Sequence, residues 1–101
     1  MKNAKILVLS VLATIAVALP VAASTTEFLE DGKLVYIYDS GIQWNGKWAK
    51  CTLQSDVFDK KATACVGECS TSGWVPKTTY TASVKDVGGY TDTAYTLYNY
   101  R

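Results

Sequence analysis

The feature that most constrains the fold is the alternation of short strand-type runs with turn residues. From Gly32 onward, Val, Ile, Thr and aromatic residues form the runs, and Gly, Asn, Asp, Ser or Pro interrupts them about every ten residues. Such runs favour β-strands, and nothing after residue 23 repeats apolar side chains with a helical period. The pattern predicts one all-β domain over residues 33–101, a small antiparallel β-sandwich of about six strands.

The clearest turn signal is the pair Asn45 and Gly46, which tolerates positive φ at both centres of a type I′ hairpin turn. Trp44 is then expected to face Lys47. Because alternate strand residues point to opposite faces, the expected core face holds Ile42, Trp44, Lys47, Ala49, Cys51 and Leu53. The other face holds Gln43, Trp48, Lys50 and Thr52.

The remaining predicted strands follow the same logic. They are Leu34–Tyr38, Ala62–Val66, the alternating stretch 78–86 and the stretch 93–101. In the last of these, one face carries Ala94, Thr96, Tyr98 and Tyr100, and the opposite face carries Tyr95, Leu97 and Asn99. The stretch 69–77 has a loop composition around Trp74, which is expected to pin that loop onto the core.

Trp44 and Trp48 receive different interpretations from this pattern. Trp44 lies on the expected core face and is predicted to be a packing residue. Trp48 lies among polar residues, so it is a candidate recognition residue. The alternative is that Trp48 packs under the N-terminal segment or a later loop.

The N-terminus has the layout of a Sec-type secretory signal peptide. Two lysines precede the uncharged, mostly apolar run Ile6–Leu19, and Pro20 follows it. Val21 and Ala23 supply the small residues that signal peptidase requires, which predicts cleavage between Ala23 and Ser24. A membrane anchor is the alternative, but a spanning helix needs roughly 20 apolar residues.

The predicted product is therefore released from the cell, with a flexible mature N-terminus over residues 24–32. Removing residues 1–23 takes away two of the ten basic residues and none of the nine acidic ones, which leaves a charge of about −1. Nucleic-acid binders and membrane-lytic peptides depend on a dense basic face. We therefore expect neither a nucleic-acid partner nor stable membrane insertion.

Catalysis is not expected either. The chain has no histidine, the commonest general base, and no carboxylate pair with recognisable acid-base spacing. Cys51, Cys65 and Cys69 give at most three thiolates, which is too few for a tetrahedral zinc site. The sequence predicts a binding protein without a metal or another cofactor.

The three cysteines permit three alternative single disulfides in an exported protein. Cys65 and Cys69 flank a possible three-residue hairpin loop, and a Cys51–Cys65 bridge is equally reasonable if their strands pair. The remaining thiol is either a buried, inert residue or the means of forming a homodimer.

Several segments together resemble the lactococcin 972 family of secreted bacteriocins. These are the signal peptide, "SDVFDKKATACV" (55–66), "STSGWVPK" (70–77), "TYTASV" (79–84) and the closing "TDTAYTLYNY" (91–100). The resemblance implies a six-stranded β-sandwich from a Gram-positive bacterium, which binds the cell-wall precursor lipid II and blocks septum formation in related cells.

Under this interpretation, the residues expected to contact the target are Trp48, Trp74, Tyr98 and Tyr100. The competing hypothesis is a small secreted module that binds or inhibits a protein partner and has no antibacterial activity. Exposed aromatic side chains would serve either function.

Overall fold

The structure, a computed structural model, describes the backbone pairing of Lys5–Val11 and residues 24–101 with their side chains. Its strands are β1 (Lys5–Val11), β2 (Thr25–Leu29), β3 (Leu34–Gln43), β4 (Gly46–Gln54), β5 (Lys60–Val66), β6 (Glu68–Thr71), β7 (Thr81–Gly88) and β8 (Ala94–Tyr100). The described part of the chain contains no helix, and the predicted all-β class is confirmed.

Two antiparallel sheets form the sandwich. One has the strand order β2-β3-β4-β7, and the other has the order β8-β5-β6, with β1 added at the β8 edge. Every pair of neighbouring strands is antiparallel. β4 and β7 pack against β5, which places the core between the two sheets.

The core follows the predicted alternation of side chains. Ala49, Cys51 and Leu53 of β4 are completely buried, as the period of two predicts. On β8 the inward face is the one that carries Ala94, Thr96, Tyr98 and Tyr100. The interior therefore contains several tyrosines. The Tyr36 ring of β3 stacks on Tyr38 with ring centroids 4.6 Å apart and packs at a tilt against Tyr98 at 4.8 Å.

The hairpin between β3 and β4 turns one residue earlier than the sequence predicts. Gln43 pairs with Gly46, so the turn residues are Trp44 and Asn45 rather than Asn45 and Gly46. Gly46 thereby becomes the first residue of β4, where only glycine fits, because a Cβ there would lie 2.0 Å from the carbonyl oxygen of Gly88. The partner of each residue shifts by two positions, so that Ile42 rather than Trp44 pairs with Lys47. Because the shift is an even number, the side chains of both strands stay on their predicted faces.

Trp44 is not a packing residue, and this part of the prediction is wrong. Its side chain is 88% exposed, and Ile42 on the inner side of β3 is also exposed. β3 has ten residues whereas the facing β5 and β8 have seven each. Trp44 itself lies in the turn, beyond the last paired residues Gln43 and Gly46.

The segment expected to be a flexible N-terminus instead contains β2. Thr25–Leu29 pairs with β3 over its whole length, and Tyr38 donates a 2.9 Å hydrogen bond to the Glu27 carboxylate. Ser24 directly precedes this strand. Residues 1–4 and 12–23, including the predicted cleavage position Ala23, lie outside the described residues. The signal peptide and its cleavage therefore remain predictions.

The disulfide is Cys65–Cys69, one of the alternatives that the sequence allows. The two cysteines are direct partners on β5 and β6, and only Gly67 lies between the paired residues Val66 and Glu68. The predicted three-residue loop is therefore a one-residue connection. β6 itself falls in the stretch that was predicted to be a loop, because its Ser and Thr residues resemble a turn more than a strand.

Cys51 is the free thiol, and it is completely buried. Burial raises the pKa of its thiol to about 12. A hydrogen bond with the Thr63 backbone lowers the pKa but offsets only part of this rise. The thiolate is the reactive form, and at pH 8 on the order of one thiol in ten thousand would be ionised. This site corresponds to the buried, inert alternative.

We expect Cys51 to be inert in the native protein and fully reactive after unfolding. Ellman's reagent at pH 8 should detect no thiol in buffer and one thiol per chain in guanidinium chloride. Cys51→Ser should show no thiol under either condition while the disulfide is intact. Rapid labelling of the native wild-type protein would contradict this placement.

Candidate functional site

The four residues predicted to contact a target do not lie together. Trp48 lies on the outer face of the β2-β3-β4-β7 sheet. Ala49 and Cys51 of the same strand point into the core, and Trp48 alternates with them. Trp74 lies after β6, where its ring contacts Lys61 of the other sheet. Tyr98 and Tyr100 are in the interior.

Tyr98 and Tyr100 are core residues, and their assignment to target contact is wrong. The Tyr100 ring packs edge-on against Phe58 at 5.0 Å, and its hydroxyl donates to the carboxylate of Glu30. Burial and the contact with Glu30 raise the pKa of Tyr100 to about 12. The strand pattern predicted which residues share a face, but not that this face points inward.

Trp74 is half-buried and already has cationic neighbours. The Arg101 guanidinium carbon lies 4.0 Å from the ring centroid and the Lys61 ammonium nitrogen lies 5.3 Å from it. Arg101 also forms an ion pair with Asp59 at 3.8 Å. These cation–π contacts stabilise the loop.

The Trp48 indole packs over a glycine of the neighbouring strand β3. Gly41 is its direct partner on β3, and a Cβ on Gly41 would come within 2.8 Å of the indole nitrogen. The indole therefore lies directly against the β3 backbone. On the other side Trp48 pairs with Val87 of β7, whose side chain is exposed. This packing holds the ring on the outer face of the sheet.

Two lysines lie next to this indole and directly opposite each other. Lys50 of β4 pairs with Lys85 of β7, and both side chains are exposed. The Lys85 ammonium nitrogen is 5.2 Å from the centroid of the Trp48 ring. Like charges directly opposite on a sheet repel each other, so this pair concentrates positive charge at a cost to the fold.

Hydroxyl groups continue the same face on the side away from Trp48. Thr52 pairs with Ser83 in the next outward-facing row, and their side-chain oxygens are 3.2 Å apart. We call the surface made by Trp48, Lys50, Thr52, Ser83 and Lys85 the cationic face. It combines one aromatic ring, two ammonium groups and two hydroxyls.

Asp39 borders the cationic face on β3, directly opposite Lys50. Burial raises the pKa of its carboxyl group above the usual value, and the positive charge of Lys50 offsets only part of this rise. Its Oδ1 atom is buried without a hydrogen-bond partner among the described residues. Arg101–Asp59 is the only ion pair within residues 24–101, so Asp39 does not bind the Lys50 ammonium group directly.

The sequence predicted part of this surface. The alternation around the hairpin correctly placed Trp48, Lys50 and Thr52 on one face. Lys85 and Ser83 were not predicted as site residues, because only the pairing of β4 with β7 brings them beside that face. Thr52 and Ser83 are 31 positions apart in the chain, and a single sequence does not reveal such pairing.

Comparison of the chain with known protein families, curated proteins and solved structures finds no match. Within the described residues, no group of three or more Cys, Asp or Glu side chains is placed to hold a metal ion. In the same part of the chain, no helix has the length and apolar composition needed to cross a membrane.

Proposed function

We propose that the protein is a secreted bacteriocin that binds lipid II through the cationic face and thereby blocks septum formation in related Gram-positive cells. It acts without catalysis and without a cofactor. The resemblance to the lactococcin 972 family supports the antibacterial role. The cationic face supports the choice of target.

The observation that carries this proposal is the cross-strand pair of Lys50 and Lys85 beside Trp48. Neither ammonium group forms an ion pair among residues 24–101. An anion bound between them would offset their mutual repulsion. A ligand with two adjacent negative groups therefore fits better than one with a single charge.

Lipid II contains such a group, because a pyrophosphate joins its sugars to its lipid chain. The pyrophosphate would bind Lys50 and Lys85 through charge-assisted hydrogen bonds. The adjacent sugar would lie on the Trp48 ring, since an indole offers an apolar surface with a polar edge. The hydroxyls of Thr52 and Ser83 would donate to or accept from the remaining polar atoms of the head group.

We expect the double variant Lys50→Glu, Lys85→Glu to bind lipid II about 100-fold more weakly than the wild type. Each reversal replaces an attractive charge contact of roughly 1.4 kcal/mol, which corresponds to about tenfold in affinity. Binding would be measured by fluorescence titration with water-soluble lipid II in detergent-free buffer. Growth inhibition of a Gram-positive panel, with microscopy of septa, provides the second readout.

The matched control reverses the charge of two other exposed lysines, Lys33 and Lys77, which lie outside the cationic face. This control has the same net charge as the test variant. It should bind lipid II nearly as well as the wild type if position matters more than total charge. Equal loss in both variants, or none in either, would overturn the assignment of the cationic face.

A protein partner is the second candidate, and Phe28 is the observation that favours it. Phe28 lies on the outer side of the same sheet opposite Val35, and 70% of its side chain is exposed. A large exposed apolar ring suits a protein interface better than a sugar-pyrophosphate group. Absence of both growth inhibition and lipid II binding in the wild type would favour this module without antibacterial activity.

A further inference from the structure

One end of the sandwich carries a second aromatic surface, which adjoins the cationic face where Val87 pairs with Trp48. It is formed by the β3–β4 turn and the segment after β7, which lie side by side because Lys47 pairs with Gly88. We call this surface the tip and define it by its exposed side chains, which are Ile42, Trp44, Val87 and Tyr90. Phe28 and Tyr80 lie toward the other ends of the strands and do not belong to it.

The tip presents Trp44 on a fixed backbone. The Tyr90 hydroxyl donates to the carbonyl oxygens of Gln43 and Trp44, the first of these at 2.9 Å. Within the turn, the Gln43 side-chain amide donates to Asn45 at 2.6 Å. Trp44 is thus a large apolar side chain that is held outward, 88% exposed, by hydrogen bonds from another loop.

The two loops that form the tip carry no charge. Residues 42–46 and 87–91 contain neither acidic nor basic side chains. The nearest charged groups are turned to local partners, since Lys47 donates to the Asp92 carbonyl oxygen at 2.9 Å and the Asp92 carboxylate accepts from the Gly89 amide at 2.8 Å. Desolvating the tip would therefore not bury a charge.

We propose that the tip docks on the surface of a phospholipid bilayer, with Trp44 and Tyr90 at the level of the lipid head groups. Trp and Tyr favour this zone because their rings are apolar and carry one polar group. Ile42 and Val87 would enter the adjacent apolar layer. The protein docks peripherally and does not span the membrane.

The charges around the tip favour an anionic bilayer. The exposed ammonium groups of Lys50 and Lys85 lie on the sheet face that leads to Val87 and the tip. Basic residues beside an interfacial apolar surface strengthen binding to anionic lipids. Docking by the tip does not depend on recognition of lipid II, although it would bring the cationic face close to a membrane-bound target.

The test is binding to vesicles that contain no lipid II. Vesicles of phosphatidylglycerol and phosphatidylcholine in equal amounts would be mixed with the purified protein, after mass spectrometry has established its N-terminus. Trp44→Ser, in the same N-terminal form, is expected to reduce binding at least about tenfold, because it removes most of the inserted apolar surface. Trp44 faces solvent, so this substitution leaves the core unchanged.

A matched control and a direct contact measurement complete the design. Trp74→Ser removes a tryptophan from the other sheet and should leave vesicle binding within about twofold of the wild type. Lipids brominated near the head group should quench tryptophan fluorescence in the wild type and in Trp74→Ser, but much less in Trp44→Ser. Pure phosphatidylcholine vesicles should bind more weakly than the anionic mixture.

The proposal is overturned if the wild type does not bind either kind of vesicle, or if Trp44→Ser binds as well as the wild type. Binding of a soluble protein at the tip, with no vesicle binding, would also overturn it. A failure of the tip proposal can be distinguished from a failure of the lipid II proposal. The lysine reversals are tested on water-soluble lipid II, whereas Trp44→Ser is tested on vesicles that contain no lipid II.

Discussion

Gly46→Ala is expected to lower the free energy of unfolding by more than about 4 kcal/mol, a cost that few single substitutions reach. Gly46 is buried at the start of β4 with a φ of 148°. An added Cβ would lie 2.0 Å from the Gly88 carbonyl oxygen, and a backbone atom of a paired strand cannot rotate away. The methyl group must therefore separate β4 from β7 or distort the hairpin. Urea denaturation followed by tryptophan fluorescence would measure the loss.

Gly73→Ala is the matched control for this prediction. Gly73 also has a positive φ, 72°, but no atom lies within 4 Å of the position that a Cβ would occupy. Only the left-handed backbone conformation is penalised there, at about 1–2 kcal/mol. A Gly46→Ala chain that fails to fold while Gly73→Ala folds agrees with the expectation. Losses of similar size in the two variants would show that β7 does not constrain Gly46 by contact.

The hairpin also shows which part of the fold could be predicted from sequence. Alternation correctly divided the side chains of β3 and β4 between the two faces, since that division depends only on local geometry. It did not predict the position of the turn, nor that Gly46 would lie against the Gly88 carbonyl oxygen of a distant strand. It also did not predict that Trp44 would be an exposed turn residue.

The candidate site follows the same division between local and distant information. Trp48 was predicted as an outward-facing aromatic residue from its polar neighbours on β4. Its cationic partner Lys85 comes from β7, and the identity of that neighbouring strand is a property of the sheet order. Tyr98 and Tyr100 show the converse case, because their shared face was recognised but its inward direction depends on the second sheet.

Lys60 and Lys61 are adjacent in sequence and indistinguishable there, yet the structure treats them differently. Lys60 is completely buried, whereas Lys61 is half-buried beside Trp74. The Lys60 ammonium group donates hydrogen bonds to the carbonyl oxygens of Ser55, Pro76 and Thr79. It thereby joins the loop before β5 to the loop before β7. Burial lowers the pKa of Lys60, and the carboxylates of Asp59 and Asp56 oppose this change.

Lys60→Met is expected to lower the free energy of unfolding by about 3 kcal/mol. Methionine fills a similar volume but donates no hydrogen bonds, so three carbonyl oxygens lose a partner, and an unsatisfied buried polar group costs about 1–3 kcal/mol. Because two of these bonds are only partly buried, water can replace part of the loss. Thermal and urea unfolding would both report the change.

Lys61→Met provides the control at the neighbouring position. It removes the same charge and one cation–π contact with Trp74, which is worth about 0.5–1 kcal/mol at an exposed site. The difference between the two variants therefore isolates the carbonyl contacts of Lys60 from the effect of net charge. If Lys60→Met were as stable as Lys61→Met, those contacts would not hold the two loops together. In that case the apolar stem of residue 60 alone would account for its burial.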